Sequence, residues 1–181
     1  MKIRRVVVAT GPDGKSRLVE DRSAPRSFEM KSAPGTGAAL VWATRAGVSL
    51  SHGHDGVDST ESSNFVPAPG ESRLMIVTYP PDVSLMRSDF DPVAFGGELA
   101  RLMPGLAETF EPDCPGMHTT DSIDYDVVLD GEIVLELDDG KEVLLRKHDV
   151  AIQHGTRHAW RNRSDKSATV LYVMLGAGRA A

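Results

Sequence analysis

The sequence is short of cysteine: Cys114 stands alone among 181 residues. A lone thiol closes no internal disulfide, so the fold must rest on its core, and a reducing compartment suits such a chain. No Cys-His signature surrounds it, which makes Cys114 a structural thiol rather than a nucleophile. Long apolar runs are missing as well. The N-terminal stretch MKIRRVVVAT has a basic start, but its apolar run, Val6 to Ala9, ends at Thr10 and the turn residues Gly11, Pro12, Asp13 and Gly14. Neither a signal peptide nor a membrane span is expected from it, and a soluble, cytoplasmic protein is the expectation that follows. Basic runs are absent too. Lys and Arg number 20 against 26 Asp and Glu, a net charge of -6, and nothing in the pattern would track phosphates; nucleic acid is not an expected partner. No internal repeat or linker divides the chain, and its length is that of one domain with a real core.

What is present is a succession of short β-branched runs between Gly, Pro and Asp clusters, the pattern of an antiparallel barrel or sandwich. Strands are predicted at 3–9, 15–21, 38–44, 73–79, 126–129, 132–137, 142–146, 150–153, 159–162 and 169–175. GPDG at 11–14 and DDGK at 138–141 are hairpin turn signals. Ile133, Leu135 and Leu137 alternate with Val134, Glu136 and Asp138, which predicts one dry and one wet face for that hairpin. Two segments break the pattern. Residues 45–72 are rich in Ser and Gly and read as a long surface loop. Residues 91–110 space Phe95, Leu99, Leu102, Leu106 and Phe110 near helical periodicity, interrupted by Pro104-Gly105, and predict one or two short helices packed across the barrel.

Chemistry concentrates near the C-terminus, in HTTDSIDYDVVLDG (118–131) and GTRHAWRN (155–162). Imidazoles and carboxylates on strand-like sequence are the raw material of a metal site. These segments resemble the two motifs of the cupin superfamily over about residues 112 to 176. The family's first motif carries a His-x-His pair, a Glu, and a Gly seven residues further on; the corresponding residues here are His118, Thr120, Asp124 and Gly131. In the second motif Gly155, His158 and Asn162 match, while Lys147 and Gln153 stand where the family has Gly and Pro. The resemblance implies an all-β, jelly-roll barrel, completed by the earlier strands, and pairing into a homodimer through barrel edges.

Carried over by the resemblance, His118, Asp124 and His158 are the expected ligands of one divalent metal ion. Two imidazoles and one carboxylate suit Fe(II) or Zn(II), with Mn(II) or Ni(II) as alternatives. Thr120, a poor neutral ligand in place of a histidine, and Trp160, on the parity of His158, are expected to line the substrate pocket. Asp126 shares the strand parity of Asp124, which makes it either a second inward carboxylate with acid-base capacity or a residue of a partly wet barrel mouth. Gly131 reads as a turn residue, Asn162 as a backbone-bonding residue at a strand end, Tyr125 as outward-facing, and His148 and His154 as turn or loop histidines. His52-Gly53-His54-Asp55 forms a competing cluster, but within the Ser/Gly-rich loop. The expected function is a metal-dependent enzyme acting on a small organic molecule, by dioxygenase, decarboxylase, lyase or isomerase chemistry. The alternative is a barrel that binds a small ligand without a catalytic metal.

Overall fold

The computed structural model describes residues 1–50, 60–61 and 63–179. In chain order the strands are β1 (Arg4–Thr10), β2 (Ser16–Ser23), β3 (Arg26–Glu29), β4 (Gly37–Thr44), β5 (Ser72–Tyr79), β6 (Ser122–Asp130), β7 (Glu132–Glu136), β8 (Glu142–Arg146), β9 (Val150–His154), β10 (Ala159–Arg161) and β11 (Ala168–Gly176). One α-helix, α1 (Pro92–Leu102), stands between β5 and β6. The strands form a six-stranded sheet in the order β3-β4-β5-β11-β6-β9, a three-stranded sheet β10-β7-β8, and the hairpin β1-β2. All pairings are antiparallel.

The core lies between the two larger sheets. Leu40, Met75, Val128, Val170 and Met174 of the six-stranded sheet pack with Ile133, Leu135 and Leu145 of the smaller one. Each fully buried side chain of this size contributes roughly 1.5–3 kcal/mol. The period-two pattern is clearest on β11, where Ala168, Val170, Tyr172 and Met174 are buried, and on β6, where Ser122, Asp124, Asp126 and Val128 are buried while Tyr125 is 41% exposed. The sheet therefore turns two carboxylates inward beside aliphatic neighbours.

The helical periodicity of 91–110 resolves into α1 and a short 3-10 turn at Ala107–Thr109. Asp91 caps α1 by accepting from the Val93 and Ala94 N–H groups at 2.9 and 3.1 Å, and Pro92 occupies the first turn, where no N–H is needed. Gly105, at φ +86, lies between α1 and the 3-10 turn. Leu99, Leu102 and Phe110 lean on the core and Leu106 is buried. No helix among the described residues is long and apolar enough to cross a membrane.

Five details differ from the expectation. Strand β6 begins at Ser122, four residues early, because β11 and β9 flank it and satisfy its backbone on both sides. Strand β3 has too polar a sequence to be read as a strand, and forms because β4 offers a free edge. Val134 is only 9% exposed rather than wet, since an ion pair between Arg161 and Glu136 roofs that face. The 45–72 segment is not all surface: Phe65 is fully buried, edge-on to Phe28 and beneath the Arg26 guanidinium, and its N–H donates to the Pro104 carbonyl. Cys114 is exposed, so it holds no packing role. The His52-Gly53-His54-Asp55 cluster lies outside the described residues.

Candidate functional site

The polar interior is built where β6, β9, β10 and β11 face the same space. On β6, Asp124 is opposite Gln153 of β9, and Asp126 is opposite Tyr172 of β11. Just outside the strands His118 and His158 form an antiparallel bridge, exchanging backbone N–H···O bonds of 2.9 and 3.0 Å. Their rings lie side by side with centroids 4.3 Å apart. Trp160 meets His158 edge-on at 5.9 Å and Tyr172 at 5.6 Å, so the predicted parity of His158 and Trp160 is what the strand delivers. At the far end the Tyr172 and Tyr79 hydroxyls are hydrogen-bonded at 2.8 Å. Thr120 is buried, and its hydroxyl accepts from the Ser122 hydroxyl at 3.0 Å.

One connected network fixes the protonation of this interior. The His158 Nδ1 faces the Thr156 carbonyl at 2.9 Å. A carbonyl only accepts, so Nδ1 carries the proton, and in the neutral ring Nε2 is left with a lone pair. Gln153 Nε2 is 3.2 Å from that lone pair and 2.7 Å from Asp126 Oδ2, so the amide donates to both. Its Oε1 accepts from the Thr156 hydroxyl at 2.9 Å, completing the circuit. His118 follows the same rule, with Nδ1 held by the Gly116 carbonyl at 3.1 Å.

Burial dominates the electrostatics. It pulls His158 down to about 4, helped by the neighbouring His118 and opposed by the Thr156 carbonyl. His118 is also lowered by burial, against the Gly116 carbonyl and Glu111. Burial lifts Asp126 to about 7; the Gln153 amide opposes the rise and Asp124 adds to it. Asp124 is raised for the same first reason, with the Ser122 and Thr120 hydroxyls in opposition. Near neutral pH both imidazoles are therefore neutral and Asp126 is poised between acid and carboxylate. Asp124 Oδ1 and Asp126 Oδ1 are the buried side-chain polar atoms without a hydrogen-bond partner among the described residues.

The expected metal donors can now be placed. His118, Asp124 and His158 are all buried and belong to this interior. Among the described residues no group of three or more His, Cys, Asp and Glu side chains converges to hold a metal ion. Two imidazoles supply two ligands, the Nε2 of one already accepts a hydrogen bond, and Thr120 supplies none. Asp124 Oδ1, buried and without a hydrogen-bond partner among the described residues, is the carboxylate oxygen left in the expected set.

The remaining residues fall where their chemistry places them. Gly131 turns at φ +72 between β6 and β7, where a Cβ would stand 2.7 Å from the Ser167 carbonyl oxygen. Asn162 is 1% exposed and bonds to backbone: its amide donates to the Lys166 carbonyl at 2.7 Å and to the Tyr79 carbonyl, distant in sequence, at 2.8 Å. His148 sits at φ 76 on an exposed turn, and His154 is exposed at the end of β9. Ser122 and the Tyr79–Tyr172 pair are residues that the sequence pattern did not single out, and Gln153 stood out only as a departure from a motif. Along β9, Ile152 has the look of the inward residue, yet it is 55% exposed while Gln153 is 4% exposed. Only the register with Asp124 reveals the inversion.

Known proteins share part of this chain. A 62-residue stretch, 34% of the chain, is 55% identical to the phomopsin biosynthesis cluster protein C' of Diaporthe leptostromiformis and covers 33% of it. A 68-residue stretch is 41% identical to a cupin-domain-containing oxidoreductase of Neurospora crassa, covering 36% of this chain and 35% of that protein. The matches thus span about a third of these curated relatives. Among solved structures, a putative ethanolamine utilization protein Q from Salmonella typhimurium aligns over 98% of this chain and 99% of its own, at 12% identity and a TM-score of 0.43. No family profile matches the chain.

Proposed function

We propose that this chain, a cupin-superfamily protein in its jelly-roll fold and in the segment shared with its relatives, is an enzyme that moves a proton on a small organic molecule. One observation carries this reading. Asp126 is fully buried, its Oδ2 is held by Gln153, and its Oδ1 has no partner. A carboxyl fixed through one oxygen and free at the other can give or take a proton at a defined atom, and burial places its pKa near the working pH. Asp124 Oδ1, also without a partner, would hold a hydroxyl or amine of the substrate. His118, His158 and Trp160, their rings inclined 50° and 84° from one to the next, would supply an aromatic lining for the molecule. Lyase and isomerase chemistry belong to this class. The relatives' printed names support an enzyme; the proton-transfer step is drawn from the geometry of Asp126.

The reading is tested by following deuterium wash-in from D2O, by mass spectrometry, across a panel of small carbonyl compounds bearing acidic C–H bonds. The wild-type protein is expected to exchange at least one member. Asp126→Asn keeps an acceptor for Gln153 but loses the proton, and should slow that exchange by about 10²–10⁴-fold. Equal exchange by both proteins would refute the role of Asp126. A second reading, a binding barrel without chemistry, is favoured by Thr120 and its bond to Ser122, which furnish hydroxyls where reactive ligands were expected. Under that reading a compound would bind and show no wash-in.

A further inference from the structure

The residue that faces the His158 Nε2 atom is a primary amide, and its two N–H groups are both committed. We infer that Gln153 keeps divalent metal ions out of this barrel by donating a hydrogen bond to the His158 Nε2 lone pair, the atom a metal would need. The inference rests on the proton-transfer reading, which requires an interior open to an organic molecule and free of a competing cation.

The Thr156 carbonyl fixes the proton of His158 on Nδ1, so Nε2 is an acceptor. In metal sites the same anchoring of Nδ1 prepares Nε2 to bind the ion. Here the prepared lone pair meets an N–H donor at 3.2 Å instead. The other N–H of the same amide takes Asp126 Oδ2 at 2.7 Å, so one oxygen of that carboxyl is held by the same group. The amide cannot turn to offer its oxygen without breaking the Thr156 hydroxyl bond and setting a carbonyl oxygen against a carboxyl oxygen and a lone pair. Gln153 is itself 4% exposed, so it is shielded from bulk solvent. One amide thus withdraws His158 Nε2 from the expected set of His118, Asp124 and His158, and engages one oxygen of Asp126 at the same time.

A substitution at 153 should reverse this. Gln153→Ala frees both acceptors, and Gln153→Glu places a third anionic group beside Asp126, where two carboxylates within hydrogen-bond reach call for a proton or a cation. The test is Co(II) binding to the full chain, purified without a His tag, read by the visible absorption of the bound ion. It is paired with ¹H–¹⁵N long-range spectra of the histidine rings. In the wild-type protein His158 is expected in the Nδ1–H form, its signals unmoved and unbroadened by equimolar Co(II). Both variants are expected to bind Co(II) about 10–100-fold more tightly, the range that partners of metal ligands command. Wild-type affinity equal to that of the variants, and lost in His158→Ala, would overturn the inference, as would unchanged affinity in two folded variants. If neither variant folds, the wild-type spectrum decides: an Nε2–H tautomer, or broadening of His158 by equimolar Co(II), rejects the claim. Wild-type metal binding together with wash-in that still depends on Asp126 would remove this inference and leave the proton-transfer reading standing. Loss of Asp126 dependence alone would do the reverse.

Discussion

A buried hydroxyl without a partner is destabilising, and two such hydroxyls that satisfy each other are nearly neutral. Tyr79 and Tyr172 are in that position, hydrogen-bonded at 2.8 Å. Burial raises the pKa of both rings, so neither ionises near neutrality. Their hydroxyls lie at the end of the interior that holds Asp126, whose charge adds to the rise of each. Tyr172→Phe strands the Tyr79 hydroxyl, and Tyr79→Phe strands that of Tyr172. Each single variant is expected to lower unfolding stability by about 1–3 kcal/mol. The double variant should fall short of the sum, because no hydroxyl is then left unsatisfied. Urea unfolding of the four proteins forms a double-mutant cycle, and strict additivity would show that the pair is not coupled in the native state.

Among the elements, the turn from β10 to β11 depends on one side chain. The Asn162 amide donates to the Tyr79 and Lys166 carbonyls, and its Oδ1 accepts from the Ser164 N–H and hydroxyl at 3.1 and 2.8 Å. Asn162→Ala orphans several of these groups at once and should lower stability by about 2–4 kcal/mol in urea unfolding, with the fold otherwise kept. A loss under about 0.5 kcal/mol, the range of ordinary surface changes, would contradict this role. Asn162 was readable as a backbone-bonding residue because short polar side chains at strand ends do this locally. Most strands were readable for a similar reason: β8 and the turn at Asp138–Gly140 follow from a short apolar run and local turn chemistry. What local pattern could not supply is pairing. Strand β3, the early start of β6 and the inward turn of Gln153 each depend on a neighbour distant in sequence, such as the 27 residues that separate Gln153 from Asp126. The motif histidines were legible as members of one site, since His118 and His158 do bridge. Their chemistry was not, because Gln153 entered the sequence as a departure from a motif and enters the structure as the donor between His158 and Asp126.

At the scale of the whole molecule, the site leaves a signature in the dependence of stability on pH. Asp126 has an ordinary value of 3.8 and sits at about 7 in the fold. Between these values the unfolded chain has released a proton that the folded chain retains. Its contribution is therefore fully present below about pH 4 and is lost as pH rises through about 7. The shift amounts to on the order of 4 kcal/mol at 1.36 kcal/mol per unit. His158 runs the other way, from an ordinary 6.5 to about 4. Its contribution is present above about pH 6.5 and is lost as pH falls through about 4, when the unfolded chain takes up a proton that the fold refuses. From about pH 4 to 6.5 the two slopes oppose each other, and these groups together leave wild-type stability nearly flat. Asp126→Asn removes one slope and keeps the other. Its stability relative to wild type should therefore climb steadily from pH 4.5 to 7.5, by on the order of a few kcal/mol, when urea unfolding is measured at unit intervals. Parallel curves for the two proteins would mean that Asp126 ionises normally in the fold. The proton it offers a substrate would then already be gone at neutral pH.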